Sequence, residues 1–133
     1  MNKNTFHILV VDDDDRIRSL VKEYLIKNNF LVTTAKDALD AKKKIEILKF
    51  DILILDIMMP GESGLSLTKE IKKNDMTPII LLTAKDEVNN RIEGSDVPAA
   101  DVVSARALTN LIGLLKYAYP HMKAGGVCLF LKG

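Results

Sequence analysis

Short apolar runs of strand length alternate with amphipathic helical segments along the sequence, and this alternation constrains the fold more than any other feature. Within the helical segments, apolar residues recur three and four positions apart, which places them on one face of a helix. The run DILILD is apolar at successive positions, which is typical of a strand covered on both faces. The expected strands are His7–Val11, Phe30–Thr34, Asp51–Asp56, Pro78–Thr83, Asp101–Ser104 and Val127–Leu131.

The alternation predicts an α/β fold, a doubly wound parallel sheet with helices on both faces and right-handed crossovers. We expect a single domain that spans residues 1–133. Ligands of such folds bind beyond the carboxyl ends of the strands, so the residues that follow the strands are the first candidates for function. The expected helices are 17–25, 38–48, a third helix that carries Leu67 and Ile71 with Ser63 as its cap, 88–92 and 108–122.

Composition and charge narrow the classes of function. The formal net charge is +1, which argues against a nucleic-acid module that relies on bulk positive charge. The run Lys42–Lys44 is interpreted as the solvated face of a helix. No apolar run is long enough to span a bilayer and the first residues lack the apolar stretch of a signal peptide, so we expect a cytoplasmic protein that binds neither membrane nor, by itself, nucleic acid.

Acidic residues follow two of the expected strands. Asp12 and Asp13 come after the first strand, and Asp56 ends the third. If these strands are neighbours, the carboxylates converge and repel one another unless a cation neutralises them. Mg²⁺ suits such oxygen ligands, and a carboxylate can act as a nucleophile toward phosphorus. Thr83, at the end of the fourth strand, offers a hydroxyl to a phosphoryl oxygen.

A purely structural explanation exists for part of this pattern. The residues Asp12–Asp15 can cap the first helix, and Asp14 or Asp15 is expected to do so because carboxylates near a helix N-terminus are favourable. Thr83 is equally well explained as a helix cap. Helix capping does not explain Asp56. It also does not explain why two strands with acidic ends would meet at one edge of the sheet.

Three motifs resemble those of the receiver domains of bacterial response regulators: ILVVDDD, ILILDIMMPGESGL and PIILLTA, in order and without gaps over about residues 7–94. The resemblance implies a flavodoxin-like or CheY-like sheet in the order 2-1-3-4-5, with Asp12 and Asp13 as the acidic pair and Asp56 as the phosphoacceptor. It further implies Mg²⁺ bound by Asp13, Asp56 and the backbone carbonyl of Met58, with Asp12 beside them, and Thr83 as the switch hydroxyl. A sensor histidine kinase would be the phosphodonor, and the domain would phosphorylate itself rather than turn over as an enzyme.

The later part of the chain resembles another family. Residues 97–133, with DVVSARAL and KAGGVCLFLKG, look like the late region of the small-subunit rRNA guanine-N7 methyltransferase called glucose-inhibited division protein B. The chain is therefore interpreted as a hybrid joined near residues 91–96, with 1–95 receiver-like and 96–133 completing the sheet. Methyltransferase activity is not expected, because that family's glycine-rich cofactor loop lies in an earlier region that is absent here.

The resemblance to receivers fails at two positions of the switch. Val103 stands where receivers have an aromatic residue, and Arg106 stands at the receiver lysine. Arg106 either pairs with a phosphoryl oxygen or is a solvated residue at a strand end, since a guanidinium differs in shape and reach from an ammonium. Phosphorylation is therefore expected to be poorly coupled to any conformational change.

Three functions follow, in decreasing order of support. The first is a phospho-accepting signalling module, and the second is a folded chimera that keeps the metal site without a working switch. The third is a methyltransferase remnant. We also expect Val127–Leu131 (VCLFL) to add a sixth strand beside the fifth, because the segment is too apolar to stay exposed. That new edge, or the face of the 108–122 helix, offers a surface for homodimerisation.

Overall fold

The structure, a computed structural model, describes residues 6–83, 105–118 and 126–131. Its strands are β1 (His7–Val11), β2 (Leu31–Ala35), β3 (Ile52–Asp56), β4 (Ile79–Thr83) and β5 (Val127–Leu131). Its helices are α1 (Asp15–Lys27), α2 (Ala38–Ile47), α3 (Gly64–Ile71) and α4 (Ala105–Gly113), the last of which continues into a π-helical turn at Leu114–Ala118. None of the helices in these ranges is long and apolar enough to cross a membrane.

The strands form one parallel sheet in the order β2-β1-β3-β4-β5. Each of the four pairings is parallel, as expected where helices connect successive strands. The predicted α/β fold with a doubly wound parallel sheet is confirmed. The central strand β3 is buried at all five positions, which matches the apolar pattern of its sequence on both faces.

Alternate residues of the strands point into two separate cores. One core joins the sheet to α1 and α4, and its helical members are Ile17, Val21, Leu25, Ala107, Leu108, Leu111, Ile112 and Leu115. The other core joins the opposite face of the sheet to α2 and α3, and its helical members are Ala38, Ala41, Leu67 and Ile71. Helices therefore cover both faces of the sheet, and the carboxyl ends of its strands remain as the edge where a site can form.

The predicted position of Val127–Leu131 as a sixth strand is wrong. This segment is β5, and it pairs directly with β4 in a register that runs from Ile79↔Val127 to Thr83↔Leu131. The two strands have equal length, and their residues are apolar except for Thr83 at the end of β4. They pair along their whole extent, and one edge of a strand can bond only one neighbour. The expected strand Asp101–Ser104 and the expected helix at 88–92 lie outside the described residues.

Polar side chains begin the first three helices. Asp14 caps α1, since its Oδ1 accepts from the backbone N–H groups of Arg16 at 2.9 Å and Ile17 at 3.2 Å. Asp37 caps α2 in the same way, and Ser63 caps α3 as predicted. The prediction that Asp14 or Asp15 caps the first helix is confirmed for Asp14.

Replacing Asp14 with alanine is expected to lower the free energy of unfolding by about 1 kcal/mol, because two N-terminal amides of α1 lose their acceptor. Urea denaturation measures the change. Asp15→Ala is the control, since the Asp15 side chain is 85% exposed and its ion pair with Arg18 is worth less than about 1 kcal/mol. Equal losses in the two variants would contradict the capping role.

Candidate functional site

The first and third strands are neighbours, and their carboxyl ends bring three aspartates together. Val11 at the end of β1 is in register with Leu55 of β3, so Asp12 and Asp56 follow at the same level. One carboxylate oxygen from each of Asp12, Asp13 and Asp56 lies within 4.8 Å of the others. The predicted convergence of these carboxylates is therefore present in the structure.

Burial differs sharply among the three aspartates. Asp12 is 1% exposed and Asp56 is 3% exposed, whereas Asp13 is exposed. Two charged groups shielded from water at such short range repel each other, so a cation that joins them lowers the free energy of the folded protein. The exposed position of Asp13 leaves the cluster open to solvent on one side.

The backbone after β1 is held by bonds to α1 and β2. The amide of Asp14 donates to Oδ1 of Asp12 at 2.9 Å, and the amide of Asp12 donates to the carbonyl of Ala35 at 3.2 Å. Arg18 donates through Nη1 to the carbonyl of Asp12 at 2.7 Å, and its Nη2 pairs with Asp15. Arg18 was not singled out from the sequence. Its position one turn into the helix that follows the aspartates could have indicated that it contacts them.

Asp56 is fixed by its neighbours in the sheet and by α3. The amide of Ile57 donates to the carbonyl of Leu82 at 3.0 Å, and the amide of Gly64 donates to the carbonyl of Ile57 at 2.9 Å. A Cβ atom at Gly64 would lie 2.2 Å from the carbonyl oxygen of Asp56. Only glycine therefore allows α3 to begin this close to the strand that ends in Asp56. Gly64 was not singled out from the sequence, although it stands within the motif PGESG.

The segment between β3 and α3 carries the other predicted ligand. Met58 is 60% exposed and Met59 is buried, although the two are adjacent. Gly61 has a φ of 80°, a left-handed conformation that glycine adopts without strain. The role of the Met58 carbonyl as a metal ligand stays a prediction.

The remaining predicted site residues lie at the limits of the described chain. Thr83 is the last residue of β4, one position beyond Leu82, which pairs with Asp56. It therefore stands at the same edge of the sheet as the aspartates, and its side chain lies outside the described residues. Arg106 lies in the first turn of α4, and its side chain also lies outside them, as does all of Val103.

Comparison with known proteins decides what kind of site this is. The family model of the response regulator receiver domain matches residues 8–112, which include all three aspartates. The chain belongs to the response regulator receiver domain family. The acidic cluster of this receiver fits the Mg²⁺-dependent phosphorylation site of the family, as its three carboxylates meet at the sheet edge.

Individual relatives agree with this assignment. The receiver is 48% identical to protein PetR of Rhodobacter capsulatus over 101 residues, which are 76% of this chain and 43% of PetR. It is 39% identical to the transcriptional regulatory protein ResD of Bacillus subtilis over 100 residues, which are 75% of this chain and 42% of ResD. The receiver thus spans less than half the length of these curated relatives.

Solved structures show the same fold. The receiver domain of a Francisella response regulator superposes with a TM-score of 0.69 at 32% identity, covering 90% of this chain and 100% of that domain. The response regulator TrrA of Thermotoga maritima, solved in complex with Mg²⁺ and BeF, superposes with a TM-score of 0.67 at 39% identity, covering 84% of this chain and 97% of TrrA.

The family match also bears on the predicted junction. It continues through residue 112, well past the expected boundary at residues 91–96. The comparisons give no support to the methyltransferase resemblance of residues 97–133 or to a hybrid origin.

Proposed function

We propose that this receiver accepts a phosphoryl group on the carboxylate of Asp56 in a reaction that depends on Mg²⁺. The single observation that carries the proposal is the meeting of Asp12, Asp13 and Asp56 within 4.8 Å, with Asp56 3% exposed at the end of the central strand. The donor would be a phosphohistidine of a sensor kinase, and a small phosphodonor serves as its substitute in experiments.

The donor set fits the proposed cation. All three side chains offer carboxylate oxygens, which suit Mg²⁺ better than they suit metals that favour thiolate or imidazole. Asp13 and Asp56 would hold the ion with the carbonyl of Met58, and Asp12 would add negative charge beside them. When bound, Mg²⁺ neutralises the carboxylates and the charge of the incoming phosphoryl group.

Asp56 would act as the nucleophile. One of its oxygens forms the bond to phosphorus as the bond from phosphorus to the donor breaks, which leaves an acyl phosphate on the strand end. The hydrogen bond from the amide of Ile57 to the carbonyl of Leu82 fixes the backbone beside Asp56, so the strand end would need little rearrangement when the donor binds. Thr83 would donate its hydroxyl to a phosphoryl oxygen, and Arg106 would pair with another.

The proposal describes a self-phosphorylating signalling domain of the cytoplasm rather than a turnover enzyme. PetR and ResD are each more than twice as long as the region that matches this chain. We infer that the receiver acts through protein contacts, including self-association through the edge strand β5 or the exposed side of α4.

Magnesium is expected to stabilise the receiver by mass action. At a free concentration about one hundred times its Kd, Mg²⁺ should add about 2.7 kcal/mol to the free energy of unfolding, because it binds the folded carboxylate cluster and not the unfolded chain. A thermal melt across a Mg²⁺ titration at constant ionic strength measures this. Asp13→Asn should reduce the shift, and an unchanged melting temperature of the native sequence would contradict an intact acidic site.

Phosphorylation is expected to leave amide exchange across residues 100–120 nearly unchanged. A phosphoryl group shifts a two-state equilibrium only if the second state packs differently, and Val103 provides no large side chain to move. Amide exchange with and without beryllofluoride should differ around Asp13, Asp56 and Thr83 alone. A large change in amide protection across residues 100–120 on adding beryllofluoride would show that the switch works. It would also show that this interpretation of Val103 is wrong.

A further inference from the structure

An ion-pair cluster joins α2 to the segment that follows the phosphoacceptor. Nζ of Lys42 lies 2.6 Å from Oε1 of Glu62 and 2.9 Å from Oε2 of Glu70. The hydroxyl of Ser66 donates to the other carboxylate oxygen of Glu62 at 3.1 Å. Glu62 is thus held from two sides, by a cation on α2 and by a hydroxyl on α3.

The cluster is only partly accessible to water. The side chains of Lys42 and Glu62 are 32% and 23% exposed, whereas that of Glu70 is 50% exposed. The hydrogen bond from Lys42 lowers the pKa of Glu62, and the hydrogen bonds to Glu62 and Glu70 raise the pKa of Lys42. Both partners are therefore fully charged near neutral pH. The neighbouring Lys43 is exposed, whereas the side chains of Lys42 and Lys44 are each 32% exposed and ion-paired. The predicted solvated face therefore holds fully for Lys43 and in part for the two lysines beside it.

The position of Glu62 gives this pair its significance. Residues 57–63 connect Asp56 to α3 and include Met58, whose side chain is 60% exposed. Met59 anchors this connecting segment in the apolar core that contains Ala38 and Ala41 of α2. Glu62 gives the segment a second, ionic anchor on the same helix. The two anchors lie on either side of Gly61, where the backbone bends with a left-handed φ of 80°.

We propose that Lys42 is a positioning residue for the Mg²⁺ site: by holding Glu62, it fixes the 57–63 segment and with it the backbone at Met58. This inference rests on the proposed function of the acidic cluster. Lys42 touches neither the metal nor the phosphoryl group in this proposal. Its effect should therefore appear in the affinity for Mg²⁺ and not in the rate of phosphorylation once Mg²⁺ is saturating.

The test compares four single variants of the receiver and the double variant that combines Lys42→Met with Glu62→Gln. Lys42→Met and Glu62→Gln each break the ionic anchor. Lys43→Met is the matched control for loss of one lysine charge from the same helix, and Glu70→Gln removes the partner of Lys42 that lies outside the connecting segment. For each variant, a thermal-shift titration with MgCl₂ gives the Kd, and phosphorylation by acetyl phosphate gives the half-saturating Mg²⁺ concentration and the maximal rate.

We expect Lys42→Met and Glu62→Gln to raise the Kd for Mg²⁺ by about two- to fivefold, the range of a partly exposed ion pair. The double variant should be no weaker than either single one, because both remove the same contact. The maximal rate should stay unchanged in all four, and Lys43→Met and Glu70→Gln should keep the Kd of the native sequence.

Several results would overturn the inference. One is an unchanged Kd for Mg²⁺ in Lys42→Met, and another is additive effects on the Kd in the double variant. A third is an equal rise of the Kd in Glu70→Gln, because that result would point to general tethering of α2 to α3. Absence of Mg²⁺ binding by the native sequence would also overturn it. Mg²⁺ binding without phosphoryl uptake would refute the proposed function alone, whereas uptake with an unaltered Mg²⁺ dependence in Lys42→Met would refute the positioning role alone.

Discussion

Replacing Asp56 with asparagine is expected to abolish phosphoryl uptake and to stabilise the receiver when Mg²⁺ is absent. Asparagine keeps the shape of the side chain but removes the nucleophilic carboxylate and one charge of the buried cluster. Relief of repulsion at a site that is 3% exposed should raise the free energy of unfolding by on the order of 2 kcal/mol without metal. Protein mass after incubation with acetyl phosphate and urea denaturation in EDTA measure the two effects.

Asp51→Asn is the control for this substitution. Asp51 precedes the same strand at its opposite end, and Oδ2 of its side chain accepts from the amide of His7 at 2.8 Å. An asparagine there keeps an acceptor oxygen, so the variant should take up phosphate like the native sequence and gain no comparable stability. Uptake by Asp56→Asn, or a loss of stability without Mg²⁺, would contradict the account of the cluster.

Replacing Gly64 with alanine is expected to destabilise the receiver by about 3 kcal/mol, a large effect for one methyl group. The added Cβ would meet the carbonyl oxygen of Asp56 at 2.2 Å and its carbonyl carbon at 2.9 Å. Both are backbone atoms of a buried central strand, which cannot move aside as a flexible side chain does. Relief of the clash must shift either α3 or the strand end, so phosphorylation of the fraction that folds should also be slower.

Gly113→Ala is the matched control, because Gly113 is likewise in a helix and a Cβ there would have no neighbour within 4 Å. This variant should be more stable than the native sequence by about 0.5–1 kcal/mol, since alanine loses less conformational freedom on folding. Urea denaturation of the pair gives the comparison. Similar stability of the two variants would show that α3 does not pack against Asp56 as described.

The acidic site was predictable because it depends on features that a sequence displays directly. Asp12 and Asp56 each follow an apolar run, and parallel strands bring their carboxyl ends to one edge whatever the details of packing. The fold class was predictable for the same reason, since the spacing of apolar residues distinguishes strands from helices.

The pairing partners of strands and the contacts of individual side chains were harder to predict from the sequence. The apolar pattern of Val127–Leu131 correctly indicated a strand, but it carries no information about which edge that strand occupies, and the structure places it on β4. Similarly, Lys42 and Lys43 are adjacent and chemically alike. Lys42 forms an ion pair with Glu62, which is distant in the sequence, whereas Lys43 is exposed. Met58 is exposed and Met59 is buried although the two residues are adjacent and identical, so residue type alone does not predict the difference.

The most direct test of the central claim is to incubate the receiver with acetyl phosphate and locate any phosphoryl group by peptide mass spectrometry, with Mg²⁺ and with EDTA. The account predicts one phosphoryl group per chain, on the peptide that contains Asp56, only when Mg²⁺ is present. No uptake by a folded receiver that binds Mg²⁺ would contradict it, as would uptake on a residue other than Asp56 or uptake that persists in EDTA.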